Sequence, residues 1–204
     1  MTLLSYVSAR SLFRSYAAPF PAFDQLQLIL ILYASLVSFN YSYRIERGLM
    51  GHIYSMPIDR GSFNRNSALM EVLFPVILIV IPSTLIFEFT FFDFDIFYIL
   101  FVIFLMSADI SLMVSVGRLM STLTRNSILC FILVFGVFYS LNSLALYFNT
   151  GSFLWLLSGG IESLAVMQPS VYPVEMLTGI VLVSIIFYGV SFVMLGRLNL
   201  KNGR

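Results

Sequence analysis

The chain has 204 residues, of which 59% are apolar and 10% are charged, and its formal net charge is +1. Soluble domains carry about a quarter charged residues, so this composition excludes a water-soluble fold and indicates a protein embedded in a bilayer. The near-neutral charge predicts no nucleic-acid partner, and the single cysteine, Cys130, excludes an internal disulfide and a multi-cysteine metal site.

Ahead of the apolar blocks, residues 1–25 form an N-terminal segment in which Arg10 and Arg14 interrupt the apolar residues. This pattern favours an amphipathic helix that lies in the membrane interface. The alternative is a short additional span.

Six apolar blocks then follow along the chain. Five of them are long enough to cross a bilayer, and they must be helices because lipid offers backbone groups no partners. These predicted spans are 26–43, 68–87, 95–117, 127–148 and 174–195. The block 153–167 is shorter and predicts an external or re-entrant helix. The predicted fold is therefore an all-α integral membrane protein with five to six transmembrane helices, in one domain over 26–196.

The basic residues predict how the protein is oriented. They concentrate in the loop 44–66, in the turn between the third and fourth spans, and in the tail 197–204: Arg44, Arg47, Arg60, Arg65, Arg118, Arg125, Arg197, Lys201 and Arg204. The alternate loops contain acidic residues and no arginine or lysine. The positive-inside rule places the three basic segments in the cytoplasm, so we expect a multi-pass protein of the plasma membrane.

The loop 44–66 contains an apolar repeat at helical spacing, formed by Ile45, Leu49, Ile53 and Met56. Pro57 would end this helix, and the residues that follow predict a turn. A short amphipathic helix is therefore expected along the cytoplasmic surface. The spacing alone also fits a helix that lies against the membrane without a partner.

The same loop resembles that of a known family. Glu46-Arg47 with Gly48, an apolar helix, and then Met56-Pro57-Ile58-Asp59-Arg60 resemble the cytoplasmic loop of ATP-binding-cassette (ABC) export permeases of the type-2 class. Two features depart from the family pattern. The family usually has a complete span before the one that ends at Glu46, and it often has a lysine where this chain has Asn64-Arg65-Asn66.

The resemblance implies a transport subunit of an ATP-driven exporter that pairs with a second permease copy, identical or related. Separate ABC ATPase subunits would hold ATP and magnesium, with no cofactor on this chain. The loop helix would be the coupling helix that docks on the ATPase and transmits its motion to the spans. The residues implied at this contact are Glu46, Arg47, Gly48, Leu49, Ile53, Met56, Pro57, Ile58 and Arg60.

Polar residues inside the spans are candidates for a transport pathway, because membrane interiors admit them where they face protein or water. Asn40 and Tyr41 in the first span, with Tyr139 and Asn142 in the fourth, are the predicted lining residues. Ordinary hydrogen bonding between helices, worth about 0.6 kcal/mol per bond, is the alternative.

Two acidic residues, Glu71 and Asp109, also fall inside predicted spans. We expect structural ion pairs with Arg65, Arg118 or Arg125. A proton relay is the alternative, and it would make the protein a secondary carrier or channel.

Catalytic motifs are missing from the sequence. The only lysine is Lys201, the only histidine is His52, and neither a P-loop, a zinc-protease motif nor a nucleophile elbow occurs. An enzyme is therefore not expected. A membrane anchor or assembly subunit without transport activity is a further hypothesis.

Overall fold

The computed structural model describes residues 19–50, 53, 60–91, 96–144 and 174–201. Within these residues the chain is helical and contains no strand. The helices are α1 (Pro19–Glu46), α2 (Arg60–Pro75), α3 (Ile81–Phe91), α4 (Ile96–Thr124), α5 (Ser127–Leu144) and α6 (Val174–Lys201), and a π-helical turn, Val76–Val80, joins α2 to α3. The predicted all-α class is confirmed.

Four stretches of the described helices are long and apolar enough to cross a membrane: Gln25–Glu46, Gly61–Ile86, Ile99–Thr124 and Thr178–Arg197. A fifth apolar stretch, Ser127–Ser143, is shorter. These stretches overlap the five predicted spans and support a membrane-spanning protein. The predicted span 127–148 corresponds to the shorter stretch, and residues 145–148 lie outside the described part of the chain. The predicted block 153–167 lies outside the described residues.

Helix α1 begins earlier than the predicted first span. It starts at Pro19, and a proline suits the first turn of a helix because its missing amide hydrogen needs no partner there. Residues 19–25, which were predicted to belong to an interfacial segment, are therefore continuous with α1. Residues 1–18 lie outside the described part of the chain.

Helix α1 ends at a glycine. Gly48 has a φ of +69°, and its amide donates to the carbonyl of Ile45 at 3.1 Å. The amide of Arg47 donates to the carbonyl of Tyr43 at 3.0 Å. This geometry closes a helix with a left-handed residue, a conformation that glycine adopts without steric cost.

A π-helical turn, Val76–Val80, directly follows Pro75 inside the second span. Proline cannot donate to the carbonyl of Glu71, one turn earlier. The Tyr33 hydroxyl donates to this carbonyl instead, at 3.0 Å. The ladder resumes with a wider turn, in which the amide of Ile81 bonds the carbonyl of Val76. Tyr33 thus ties α1 to the interrupted helix.

Helix α4 lies at the centre of the bundle and packs against α1, α2, α5 and α6. Its inner residues are fully buried, among them Leu105, Met106, Ile110 and Met113. Gly117 permits a close approach to α1, since a Cβ at this position would overlap the Ser38 side chain. The Ser121 hydroxyl also donates to the carbonyl of Ser38 at 2.9 Å. Small residues at such crossings let membrane helices pack tightly.

One end of the bundle collects the basic segments, and we call it the arginine end. Here Glu46, at the end of α1, accepts hydrogen bonds from the amide and hydroxyl of Ser127, at 3.1 and 3.0 Å. The Asn126 side chain accepts a hydrogen bond from the amide of Leu129 at 2.9 Å and caps the N-terminus of α5. A carboxylate at a helix N-terminus is also favoured by the helix dipole. The predicted grouping of basic segments on one side therefore agrees with the fold.

Candidate functional site

A buried charged group, the Arg118 cluster, lies at the arginine end and consists of Ser67 and Glu71 from α2, Arg118 from α4, Tyr41 from α1 and Tyr188 from α6. Arg118 Nε donates to Glu71 Oε2 at 2.7 Å, and its Nη2 donates to Ser67 Oγ at 2.8 Å. Ser67 Oγ donates in turn to Glu71 Oε1 at 3.0 Å. The predicted ion pair of Glu71 is thus confirmed, with Arg118 as its partner.

Two aromatic rings contact the guanidinium group of this cluster. Its Cζ lies 4.8 Å from the centroid of Tyr41 and 5.5 Å from that of Tyr188. Arg118 is only 3% exposed, and a cation buried this deeply needs both an opposite charge and polarisable neighbours. Four helices therefore meet at one charge.

Two open cavities flank the Arg118 cluster. The first, of about 340 Å³, lies between α1 and α2 and is lined by Tyr33, Asn40, Arg44 and Glu71 among others. The second, of about 550 Å³, lies between α2, α4 and α6 and is mostly apolar, with Arg65 and Arg118 among its lining residues. Tyr41 lines both cavities. A movement of Tyr41 would therefore change the shape of both.

The predicted coupling residues at the end of α1 have separate surroundings. Glu46 caps α5, and Arg47 is exposed, with its guanidinium 5.4 Å from the centroid of the Tyr43 ring. Gly48 makes the turn, and Leu49 is 42% exposed. Arg60 is the first residue of α2. Met56, Pro57 and Ile58 lie outside the described residues.

The predicted loop helix is wrong in one respect. Ile45 and Met56 do not belong to a single helix, because the helix is interrupted at Gly48. The break resets the helical phase, so that Leu49 is exposed and Met50 is 3% exposed. Met50 packs in a small apolar group with Tyr41 and Leu195, and Ile45, Ile53 and Phe63 pack against this group. We call residues 47–50 and Ile53 the loop segment. Its apolar side rests on the bundle.

The four predicted pathway residues divide into two pairs. Asn40 and Tyr41 line the cavity between α1 and α2, roughly 9 Å from the end of α1 along the helix axis. Tyr139 lies about 18 Å along α5 from the arginine end, half-exposed, with its ring centroid 5.7 Å from that of Phe135. Asn142 lies one turn further and is partly buried. Neither Tyr139 nor Asn142 lines the two cavities described here.

Asp109 does not form the predicted ion pair. The carboxyl group is fully buried, and within the described parts of the chain its partner is an uncharged side chain. Gln27 Nε2, on α1, donates to Asp109 Oδ2 at 2.8 Å. The sequence interpretation did not single out Gln27. Its signal was one of two glutamines, Gln25 and Gln27, near the start of an apolar run. Which of them faces a partner depends on how α1 packs on α4.

Tyr188 and Ser67 were also missed as members of a site. Tyr188 belongs to a sequence pattern that fits ordinary helix contacts, and Ser67 lies at the edge of a predicted span. Sequence spacing predicts a contact only between Ser67 and Glu71, which are one helical turn apart. It predicts none with Arg118.

The described residues contain no group of three or more histidine, cysteine or acidic side chains that could hold a metal ion. Comparison of the whole chain with protein-family models, with curated proteins and with solved structures gave no match.

Proposed function

We propose that the chain is the membrane-spanning permease subunit of an ATP-driven ABC exporter, in which a separate ATPase chain hydrolyses ATP and this chain passes the cargo. The proposal starts from the Glu46-Arg47-Gly48 motif and the loop behind it. The observation that carries it is the loop segment, which is anchored to the bundle on one side and exposes Leu49 and Arg47 on the other.

A series of contacts gives this segment a mechanical role. Met50 packs with Tyr41, and the Tyr41 ring lies against Arg118. Arg118 is bonded to Glu71 on α2. A displacement of the loop segment by a docked ATPase would therefore be transmitted through packed side chains to α1, α2, α4 and α6. Coupling of this kind needs an element with two arrangements, one favoured by the state of the docking surface and the other by the state of the pathway. The Arg118 cluster is our candidate for this element.

In this proposal the arginine end faces the cytoplasm of a cell bounded by the plasma membrane. Two copies of the chain, or this chain and a related one, form the pathway. The cavity between α1 and α2 would contribute Asn40 and Tyr41, and α5 would contribute Tyr139 and Asn142 deeper in the membrane. ATP and magnesium bind to the ATPase subunits.

The test compares two exposed leucines near the same end of the bundle. Leu49→Asp places a charge on the proposed docking surface, and Leu123→Asp places it on α4, where the leucine is 54% exposed. We expect Leu49→Asp to abolish co-purification of the ATPase subunit, while Leu123→Asp retains it. Equal recovery of the ATPase with both variants would contradict the docking role, provided that both insert into the membrane at wild-type level.

Asp109 favours a second candidate, a secondary carrier without an ATPase. Within the described part of the chain this buried carboxyl group has no cationic partner, and such groups can take part in proton-coupled transport. The chain reconstituted alone in vesicles distinguishes the two. Uptake driven by a proton gradient without ATP supports the carrier, and its absence together with ATP-dependent transport in the complex supports the exporter.

A further inference from the structure

The side chains of Gln27 and Asp109 share one hydrogen bond, while one oxygen atom of each accepts no hydrogen bond from the described residues. Gln27 is 1% exposed and Asp109 is 0% exposed, and the bond between them joins Nε2 to Oδ2. Gln27 Oε1 and Asp109 Oδ1 are both buried, and neither has a hydrogen-bond partner among the residues that the structure describes. A buried polar atom left unpaired is costly, and an isolated buried carboxylate is more so. The two unpaired oxygens belong to two groups that already touch.

Among the side chains that the structure describes, the charged and titratable groups named below have partners other than Asp109. On α4 itself, Arg118 lies roughly 13 Å further along the helix axis and is bonded to Glu71 of α2. Tyr188 of α6 lies against Arg118, and Tyr33 of α1 bonds the Glu71 carbonyl. On α5, Cys130 pairs with Ser121. None of these described groups pairs with Asp109 to compensate a negative charge.

We propose that Asp109 is a proton-binding site: it carries a proton on Oδ1 and donates it to Gln27 Oε1. On the edges that would face each other, the acid and the amide each offer one donor and one acceptor, so a second hydrogen bond closes a ring between the two planar groups. One proton therefore satisfies both unpaired oxygens and removes the buried charge. The ligand of this site is the proton itself, and the inference does not depend on the exporter proposal.

Occupancy of the site is linked to the packing of α1 on α4. Loss of the proton would leave a buried carboxylate beside the Gln27 carbonyl oxygen, with both groups shielded from bulk solvent. The protonated pair thus stabilises the packed arrangement, in which Ser121 bonds Ser38 further along the same two helices. Separation of α1 from α4 would favour release of the proton.

Infrared spectroscopy of the purified full-length protein at neutral pH tests the proposal. Aspartate labelled with 13C in its carboxyl group identifies aspartic acid bands by their isotope shift. We expect one carboxylic acid C=O band that shifts with the label, disappears in Asp109→Asn, and moves to higher frequency in Gln27→Leu because its hydrogen bond is lost. Gln25→Leu, an exposed glutamine on the same helix, should leave the band unchanged.

Absence of a protonated aspartic acid band at neutral pH would overturn the proposal, as would a band that Gln27→Leu and Gln25→Leu affect equally. If Asp109→Asn does not fold, the isotope shift and the two glutamine variants still decide.

Thermal unfolding adds a second readout, because a proton held only by the folded state makes stability fall as pH rises. The stability of the wild type should fall as pH rises. The fall should be smaller in Asp109→Asn, because its amide replaces the hydrogen-bond donor. An equal fall in both contradicts the site.

Discussion

At the scale of single residues, the main feature is that Arg118 holds its charge inside the bundle. Glu71, Ser67 and two tyrosine rings contact it, and these contacts come from α1, α2 and α6. Buried ion pairs add little net stability compared with apolar packing, yet loss of one partner leaves the other charge uncompensated. The arginine is therefore a point where removal of one side chain affects several helices.

Arg118→Leu tests this feature. We expect the free energy of unfolding to fall by about 3 kcal/mol, because Glu71 loses its partner. Adding Glu71→Gln to Arg118→Leu should recover part of the loss, since no uncompensated charge remains. Arg197→Leu, at an exposed arginine of α6, serves as the control and should change stability by less than about 0.5 kcal/mol. Thermal or denaturant unfolding in detergent measures all three, and equal effects at Arg118 and Arg197 would argue against a buried pair.

Gly48 is a second position where one residue type is required. Its positive φ costs a residue with a Cβ about 1–2 kcal/mol, although no atom would obstruct that Cβ. Gly48→Ala should therefore destabilise the protein, whereas Gly196→Ala, inside α6 with open space around it, should be neutral or stabilising. Unfolding midpoints compare the two, and a stabilising Gly48→Ala would show that α1 does not end in this conformation.

At the scale of helices, α1 and α4 approach each other closely at Gly117, and this approach has a simple mutational test. Gly117→Ala would push the new methyl group into Ser38, and overpacking of this kind costs about 1–3 kcal/mol. Ser38→Gly removes the obstructing side chain and should restore much of the loss in the double variant. Gly136→Ala on α5 has open space and should cost nothing. If Gly117→Ala is as stable as Gly136→Ala, the two helices are further apart than described.

At the scale of the whole molecule, the apolar blocks were sufficient to predict the helices, because helix formation in lipid follows from the need to satisfy backbone groups. The shared end of the basic segments was predictable because alternate loops lie on the same side of a membrane and basic residues concentrate on one side. The break at Gly48 was harder, since a regular apolar spacing continues across it and only the backbone conformation reveals the change of phase.

The contents of the candidate site depended on tertiary packing. Glu71 and Arg118 were recognisable as a possible pair, but their distance in sequence gave no preference for Arg118 over Arg65 or Arg125. Asp109 was assigned to the wrong class of partner because its neighbour, Gln27, lies on a helix far away in sequence. Which side chains face each other across two apolar helices is decided by crossing geometry that a single sequence does not contain.

In the proposed exporter, the loop segment and the Arg118 cluster would pass force from the ATPase subunits into the arginine end of the bundle. The mass and nucleotide hydrolysis of the native particle, purified from membranes through a tag on this chain, test this account most directly. We predict a particle that contains two permease chains and two ATPase chains and that hydrolyses ATP, with the ATPase chains lost in Leu49→Asp. A native particle composed of this chain alone, without nucleotide hydrolysis, would contradict the account.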